Sequence, residues 1–228
     1  MKENAIEICR EQETFAAIEL LSKQPDQLIA VKTFHEVMRH FYWKEKDLFR
    51  ATALGRAGLQ YGLTVALTLQ TSDPDRALEI RSAAKAMAYD LASFTWNGWD
   101  EPGIPITASD LQMGLDAART NLRLAVELKK EALPLSRAYW MLGAQQLAAN
   151  QFPEAVQSFT QAAEFSKSAN TENEELLSTG FAALVKVLQT KGASGQEELE
   201  AIKQKLKPLT DGEFFVGQLE TAYQVFSK

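Results

Sequence analysis

The sequence predicts an all-α protein of about ten helices in consecutive antiparallel pairs, and three observations lead to this fold class. Apolar residues recur at helical spacing along almost the whole chain, whereas a sustained strand-like alternation of apolar and polar residues does not occur. Pro and Gly separate many of the periodic segments. Helix start signals are dense, because a Ser or Thr with an acid three residues later, as in a capping box, occurs at Thr171/Glu174, Ser194/Glu197, Thr210/Glu213, Ser72/Asp75 and Thr107/Asp110.

Four helices are predicted in the first part of the chain. The first ends at Gln24-Pro25, since the residue before a proline is pushed out of the helical region. The fourth begins at Pro74, because proline is tolerated in a first helical turn. The predicted ranges are 3–23, 26–42, 46–70 and 74–96.

Six further helices are predicted after residue 106. Pro134 and Pro153 stand in first turns, and Lys191-Gly192 and Lys207-Pro208 are stop signals. The predicted ranges are 107–131, 134–149, 153–168, 172–191, 195–207 and 211–226. The connections are short, so successive helices are expected to pack as antiparallel neighbours. The one longer break is the loop at 97–106, and composition does not change across it, so we expect a single domain over 1–228.

Composition excludes several function classes. With 46% hydrophobic and 24% charged residues the chain is an ordinary globular protein, and its net charge of −6 argues against a nucleic-acid binder. The single cysteine, Cys9, excludes an intramolecular disulfide. The start of the sequence has no apolar signal region, and the longest apolar stretch, 61–69, is about half the length of a membrane span. We therefore expect a cytoplasmic protein without membrane contact.

The sequence offers no positive sign of an enzyme, a metal site or a cofactor. It lacks a nucleophile elbow and the glycine-rich phosphate loops. The only two histidines, His35 and His40, are five residues apart, about 140° around a helix axis, and so are not aimed at one ion. Clusters of Glu lie in first helical turns, where the helix dipole explains them. We expect no catalytic residues.

A stripe of small residues and a basic segment have two interpretations each. Ala51, Gly55, Gly58 and Gly62 share one helix face, and either a close helix crossing or a bound ligand explains the glycines, with the crossing favoured. The segment 23–56 is locally basic and contains interleaved aromatic residues. It is either a solvated helix face or a docking site for an acidic peptide. The residues that we expect to form a second contact surface are Trp99, His35 and Arg39.

One segment, 136–168, resembles the tetratricopeptide repeat. A large residue followed by Leu-Gly appears as Tyr139, Leu142 and Gly143, and the Ala-Phe-Ala pattern of the second helix as Ala155, Phe159 and Ala162. The Ala-large-Ala spacing recurs at Ala118, Leu122 and Ala125, close to the usual repeat period. Gln146 and Lys167 stand where the repeat prefers an aromatic residue and a proline.

The resemblance implies a right-handed array of helical hairpins with a concave groove that binds a protein or peptide segment without catalysis. It implies that the groove is lined by residues beside the signature positions of the first helix, namely Arg137, Trp140, Met141 and Ala144. An alternative is a small-molecule sensor with a pocket near the 51–62 stripe and the 96–103 loop, and a third hypothesis is a structural homo-oligomer. The sequence names neither the partner nor the ligand.

Overall fold

The computed structural model describes residues 1–11, 13–191 and 195–228, and all regular structure in these residues is helical. They contain eleven α-helices and a 3-10 turn at Asn97–Trp99. The helices are α1 Lys2–Arg10, α2 Thr14–Ser22, α3 Gln27–Trp43, α4 Leu48–Leu69, α5 Pro74–Phe94, α6 Ala108–Glu127, α7 Ala132–Ala148, α8 Phe152–Ser168, α9 Glu172–Gln189, α10 Gln196–Leu206 and α11 Gly212–Phe226. The predicted all-α class and the packing of consecutive helices in pairs are therefore confirmed.

The first predicted helix, 3–23, is two helices in the structure. Helix α1 ends at Arg10 and α2 begins at Thr14. This stretch contains neither Pro nor Gly, so the local sequence carries no stop signal. Tertiary contacts separate the two helices, since α1 packs on α3 whereas α2 packs on both α3 and α4.

The chain forms two compact units, Met1–Phe94 and Thr95–Lys228, and the single domain expected over 1–228 stays a prediction. The boundary falls just before the predicted long loop, 97–106. The first residues of that loop form the 3-10 turn, and Ile104 within it is buried.

In the first unit, the glycines of α4 allow a close approach to α3 and α5. A Cβ built on Gly58 would lie 2.6 Å from the Cβ of Phe34 on α3 and 2.9 Å from the Sδ of Met87 on α5. Gly55 and Gly62 meet the same two helices. The stripe therefore serves helix packing, and neighbouring side chains occupy the place where the alternative hypothesis expected a ligand pocket.

Alternate helices of the first unit run in the same direction. Lys2 in α1 forms an ion pair with Glu36 in the middle of α3, at 3.6 Å, and Arg10 at the end of α1 pairs with Glu45 just after α3, at 2.9 Å. Helix α1 is thus parallel to α3. This is the arrangement that stacked helical hairpins produce.

In the second unit, α7 and α8 form the hairpin of the segment 136–168. A Cβ on Gly143 would lie 2.9 Å from the Phe159 ring, so the two helices approach each other closely there. Towards the open end of the hairpin, the buried Ser136 and Ser166 hydroxyl oxygens lie 2.6 Å apart. The two helices are therefore in contact both in the middle and near the open end of the hairpin.

Only some of the predicted caps form. The Asp110 N–H donates to the Thr107 hydroxyl and the Asp110 carboxylate accepts from the Thr107 N–H, a complete capping box. The Thr171 hydroxyl instead donates to the Ser166 carbonyl, and no side chain caps α9. Ser194 lies outside the described residues. Capping boxes were also predicted at Ser72/Asp75 and Thr210/Glu213. The residue that directly precedes the helix is instead Asp73 for α5 and Asp211 for α11.

Candidate functional site

A surface cleft of about 360 Å³ lies against α3 in the first unit. We call it the α3 cleft, and it includes the predicted contact residues His35 and Arg39. All its lining residues except one belong to α3 or follow it directly: Lys2, His35, Glu36, Arg39, His40, Trp43 and Lys44.

The amphipathic pattern of α3 places these side chains on one side of the helix. The Asp26 carboxylate caps α3 by accepting the Ile29 N–H at 3.0 Å. Phe34, Met38 and Phe41 face the interior and are fully buried. Glu36, Arg39 and Trp43 are exposed, and Arg39 and Trp43, four residues apart, lie on the same face.

Carboxylates hold both histidines of the cleft in place. His35 Nε2 lies 2.8 Å from Asp90 Oδ2 on α5, and the Arg39 guanidinium pairs with the same oxygen at 3.4 Å. His40 Nε2 lies 2.9 Å from the Glu45 carboxylate. The two rings are therefore bound by different carboxylates and share no partner in these contacts. Among the described residues, no group of His, Cys, Asp and Glu side chains is arranged to hold a metal ion.

Trp43 is the large apolar side chain of the cleft, and it is 48% exposed. Its ring meets Tyr42 edge-on at 4.8 Å and Phe94 edge-on at 5.7 Å, and these two rings stack on each other. The Lys46 ammonium lies 5.5 Å from the Trp43 ring centroid. The indole is therefore held by three neighbours while about half of it remains open to solvent.

Cations outnumber carboxylates among the residues that line the cleft, while the Asp90 and Glu45 carboxylates lie against its histidines. The lining carries three formal cations, Lys2, Arg39 and Lys44, and one carboxylate, Glu36. Lys2 pairs with that carboxylate, at 3.6 Å. Lys44 is exposed, and in the described part of the chain its ammonium forms neither an ion pair nor a hydrogen bond with another side chain.

Cys9 is not available as a nucleophile. The side chain is fully buried in α1, and burial raises the pKa of the Cys9 thiol to about 11. At neutral pH the group is therefore the thiol rather than the reactive thiolate.

The groove predicted on α7 is not exposed. Trp140 is only 6% exposed, and Met141 and Ala144 are completely buried. Helix α7 packs against α6 and α8, and the Trp140 ring meets Phe181 of α9, so this part of the helix is enclosed. The prediction that these three residues line an open groove is therefore wrong. Arg137 does face solvent, where its guanidinium binds the Glu174 carboxylate with contacts from 2.6 to 3.2 Å.

Trp99, the remaining predicted contact residue, is half-buried in an aromatic cluster. Its ring meets Trp96 edge-on at 4.7 Å and stacks on Trp140 at 5.8 Å. Gly98 allows this packing, because a Cβ there would lie 2.2 Å from the Trp96 ring. The indole nitrogens of Trp96 and Trp140 are buried and have no hydrogen-bond partner among the described residues.

The structure thus brings two of the predicted residues, His35 and Arg39, into one cleft and adds Trp43 and Lys44 to them. Sequence reasoning missed these two as site residues, although both lie in the basic segment with interleaved aromatics. The spacing of four between Arg39 and Trp43 was the available signal, since it places both on one helix face.

Comparison with protein-family models and with curated proteins gives no family for this chain. No family model matches the chain, and no curated protein matches it. No helix in the part of the chain that the structure describes has both the length and the apolar character to cross a membrane. The resemblance to tetratricopeptide repeats stays a prediction.

Proposed function

We propose that this protein is a non-catalytic helical scaffold that binds a segment of another protein in the α3 cleft. The observation that carries the proposal is Trp43, a half-exposed indole at a concave surface of the molecule. The proposal keeps the class of function that the sequence predicted and moves the contact surface from α7 to α3.

The energetics of interfaces favour Trp43 as an anchor. Tryptophan and arginine are enriched among the few residues that dominate binding energy, and Arg39 lies one helical turn from Trp43. The contacts with Tyr42 and Phe94 hold the indole before a partner arrives. Less side-chain entropy is then lost on binding.

The lining of the cleft favours recognition over nucleophilic catalysis. It contains no Ser, Thr or Cys, and both histidines are engaged by carboxylates. Catalytic triads need a nucleophile within hydrogen-bond reach of the base. The residues of the cleft suit polar and apolar contacts with a bound chain.

Peptide selection with two matched variants tests this function. A random peptide library is selected against the wild-type protein, and the selected peptides are then measured on Trp43→Ala and Phe49→Ala proteins. Phe49 is 77% exposed and lies on α4, outside the cleft lining. We expect Trp43→Ala to weaken binding by about 2 kcal/mol or more, because an interfacial tryptophan is lost, and Phe49→Ala to leave binding unchanged.

Melting curves of both variants show whether each is folded at the temperature of the binding measurement. Peptides that bind Trp43→Ala protein as tightly as the wild type contradict the site. A selection that yields no binding peptide contradicts the function itself.

One observation favours the alternative, a small-molecule site near the 96–103 loop. The buried indole N–H groups of Trp96 and Trp140 lack acceptors among the described residues, and a ligand with a carbonyl or carboxylate oxygen would satisfy them. Such a ligand would raise the melting temperature of wild-type and Trp43→Ala proteins alike. The same variant therefore separates the two functions.

A further inference from the structure

We infer that the segment bound in the α3 cleft is acidic, with carboxylates beside an aliphatic or aromatic side chain. This inference rests on the proposed function and specifies the chemistry of the partner. The apolar side chain would pack on the open part of Trp43, and the carboxylates would meet the cations around it.

The first argument is the contrast between the cleft and the rest of the molecule. The whole chain carries a net charge of −6, yet the cleft is lined by three formal cations and one carboxylate. An acidic ligand is therefore repelled by the net charge of the chain and attracted by the cations of this lining. Such a local potential steers a ligand of opposite charge to one site.

The second argument is that two of the cations have capacity for a new partner. The Arg39 side chain is 55% exposed and pairs with Asp90 through one terminal nitrogen, Nη1. A guanidinium has five N–H donors and suits bidentate contact with a carboxylate. Lys44 is exposed and, within the described residues, is not engaged by any carboxylate.

The third argument is the position of these cations relative to the aromatic anchor. Arg39 precedes Trp43 by one helical turn and Lys44 follows it directly. A bound chain that places an apolar side chain on Trp43 therefore has its flanking residues near cations. Carboxylates on either side of the apolar side chain of the bound segment would therefore lie close to Arg39 and Lys44.

Three synthetic peptides of the same length test the inference on the full chain. The first has a central Leu-Phe pair flanked by Glu, the second has Gln in place of every Glu, and the third has Lys in those positions. We expect the Glu peptide to bind at least about tenfold more tightly than the Gln peptide, and the Lys peptide not to bind measurably. This preference should shrink as salt is raised towards 1 M, where the screening length falls to about 3 Å.

Two charge reversals locate the effect. Lys44→Glu changes an exposed cation of the cleft, whereas Arg56→Glu makes the same change of sign at an exposed position on α4. We expect Lys44→Glu to weaken the Glu peptide about tenfold and to improve the Lys peptide. Arg56→Glu should leave both affinities unchanged.

The outcomes distinguish the inference from the function on which it rests. Equal binding of the Glu and Gln peptides, with loss of both on Trp43→Ala, overturns the acidic preference and leaves the scaffold function standing. Equal effects of Lys44→Glu and Arg56→Glu show a general charge effect and also overturn it. Failure of all three peptides to bind, while peptides selected from the library do bind at Trp43, likewise overturns the inference alone. A single-stranded oligonucleotide that binds at Trp43 more tightly than the Glu peptide overturns it in favour of nucleic acid.

Discussion

The Trp140 side chain fills the space between aromatic rings of the second unit, with Phe181 at 5.1 Å and Trp96 at 5.7 Å between centroids. Truncation would leave a cavity that these rings cannot close. We therefore expect Trp140→Ala to lower the free energy of unfolding by about 3–5 kcal/mol. Urea denaturation of the purified variant measures this loss.

Arg137→Ala is the matched control, because Arg137 lies on the same helix within one turn. The Arg137 side chain is 55% exposed and that of its partner Glu174 is 17% exposed, so loss of this ion pair is expected to cost about 1 kcal/mol, less than loss of the indole. A Trp140→Ala protein as stable as wild type would show that the indole is not part of the core. The sequence did contain a sign of this burial, since Arg137 is the only charged residue in the stretch 132–148 and apolar residues lie on several sides of this helix.

At the scale of the helices, two glycines offer the same substitution with opposite results. A Cβ on Gly58 would lie 2.6 Å from the Phe34 Cβ, which cannot move without its backbone, so Gly58→Ala is expected to destabilise the protein by about 1–3 kcal/mol. Gly217 in α11 has no heavy atom within 4 Å of the added carbon. Gly217→Ala should therefore stabilise by about 0.5–1 kcal/mol through helix propensity. Thermal or urea unfolding measures both, and a shift of the same sign in the two variants contradicts the packing described for α4.

The helices themselves were largely predictable, and their ends were less so. The 3.6-residue period places the interior of almost every helix correctly, because burying an apolar stripe dominates the energy of a helix in a protein. The ends often depend on residues that carry no strong signal. Non-glycine residues with positive φ follow several helices, namely Lys46, Lys129, Asn150, Asn170 and Lys191. Lysine gives no indication that it will adopt this conformation, since side chains other than Gly, Asn and Asp rarely do so.

The candidate site was predictable only in part, for a related reason. The basic segment indicated where cations and aromatics coincide along the chain, and His35 and Arg39 do lie in the cleft. Their carboxylate partner, Asp90, comes from α5, and Lys2 comes from α1. Contacts between helices distant in sequence depend on how the hairpins stack, and the period of a single helix does not contain that information.

The charge of the whole molecule gives it a defined response to acid. The chain has 30 acidic residues against 24 basic ones and a sequence pI near 5.1, so falling pH first neutralises it and then makes it cationic.

Many carboxylates are paired with cations or helix N-termini. A hydrogen bond and the charge of Lys23 hold the pKa of Glu19 below its usual value. The Ile29 N–H, with the charge and hydrogen bond of Arg76, holds the pKa of Asp26 below its usual value.

The Asp26 carboxylate allows this response to be measured at one residue. The pKa of Asp26 is lowered in the folded state, so the unfolded chain binds the proton more readily than the folded chain. The ionised Asp26 carboxylate therefore contributes its full stabilisation above the usual pKa of about 3.9. This stabilisation is lost as pH falls through the lower pKa of the folded state. Asp26→Asn keeps a side-chain oxygen for the Ile29 N–H and removes the titration. We expect the variant to melt below the wild type at neutral pH because the Arg76 ion pair is lost, and the two curves to converge in acid. Melting temperatures from neutral pH to about pH 2 test this, and two parallel curves would show that Asp26 does not contribute to the acid sensitivity of the molecule.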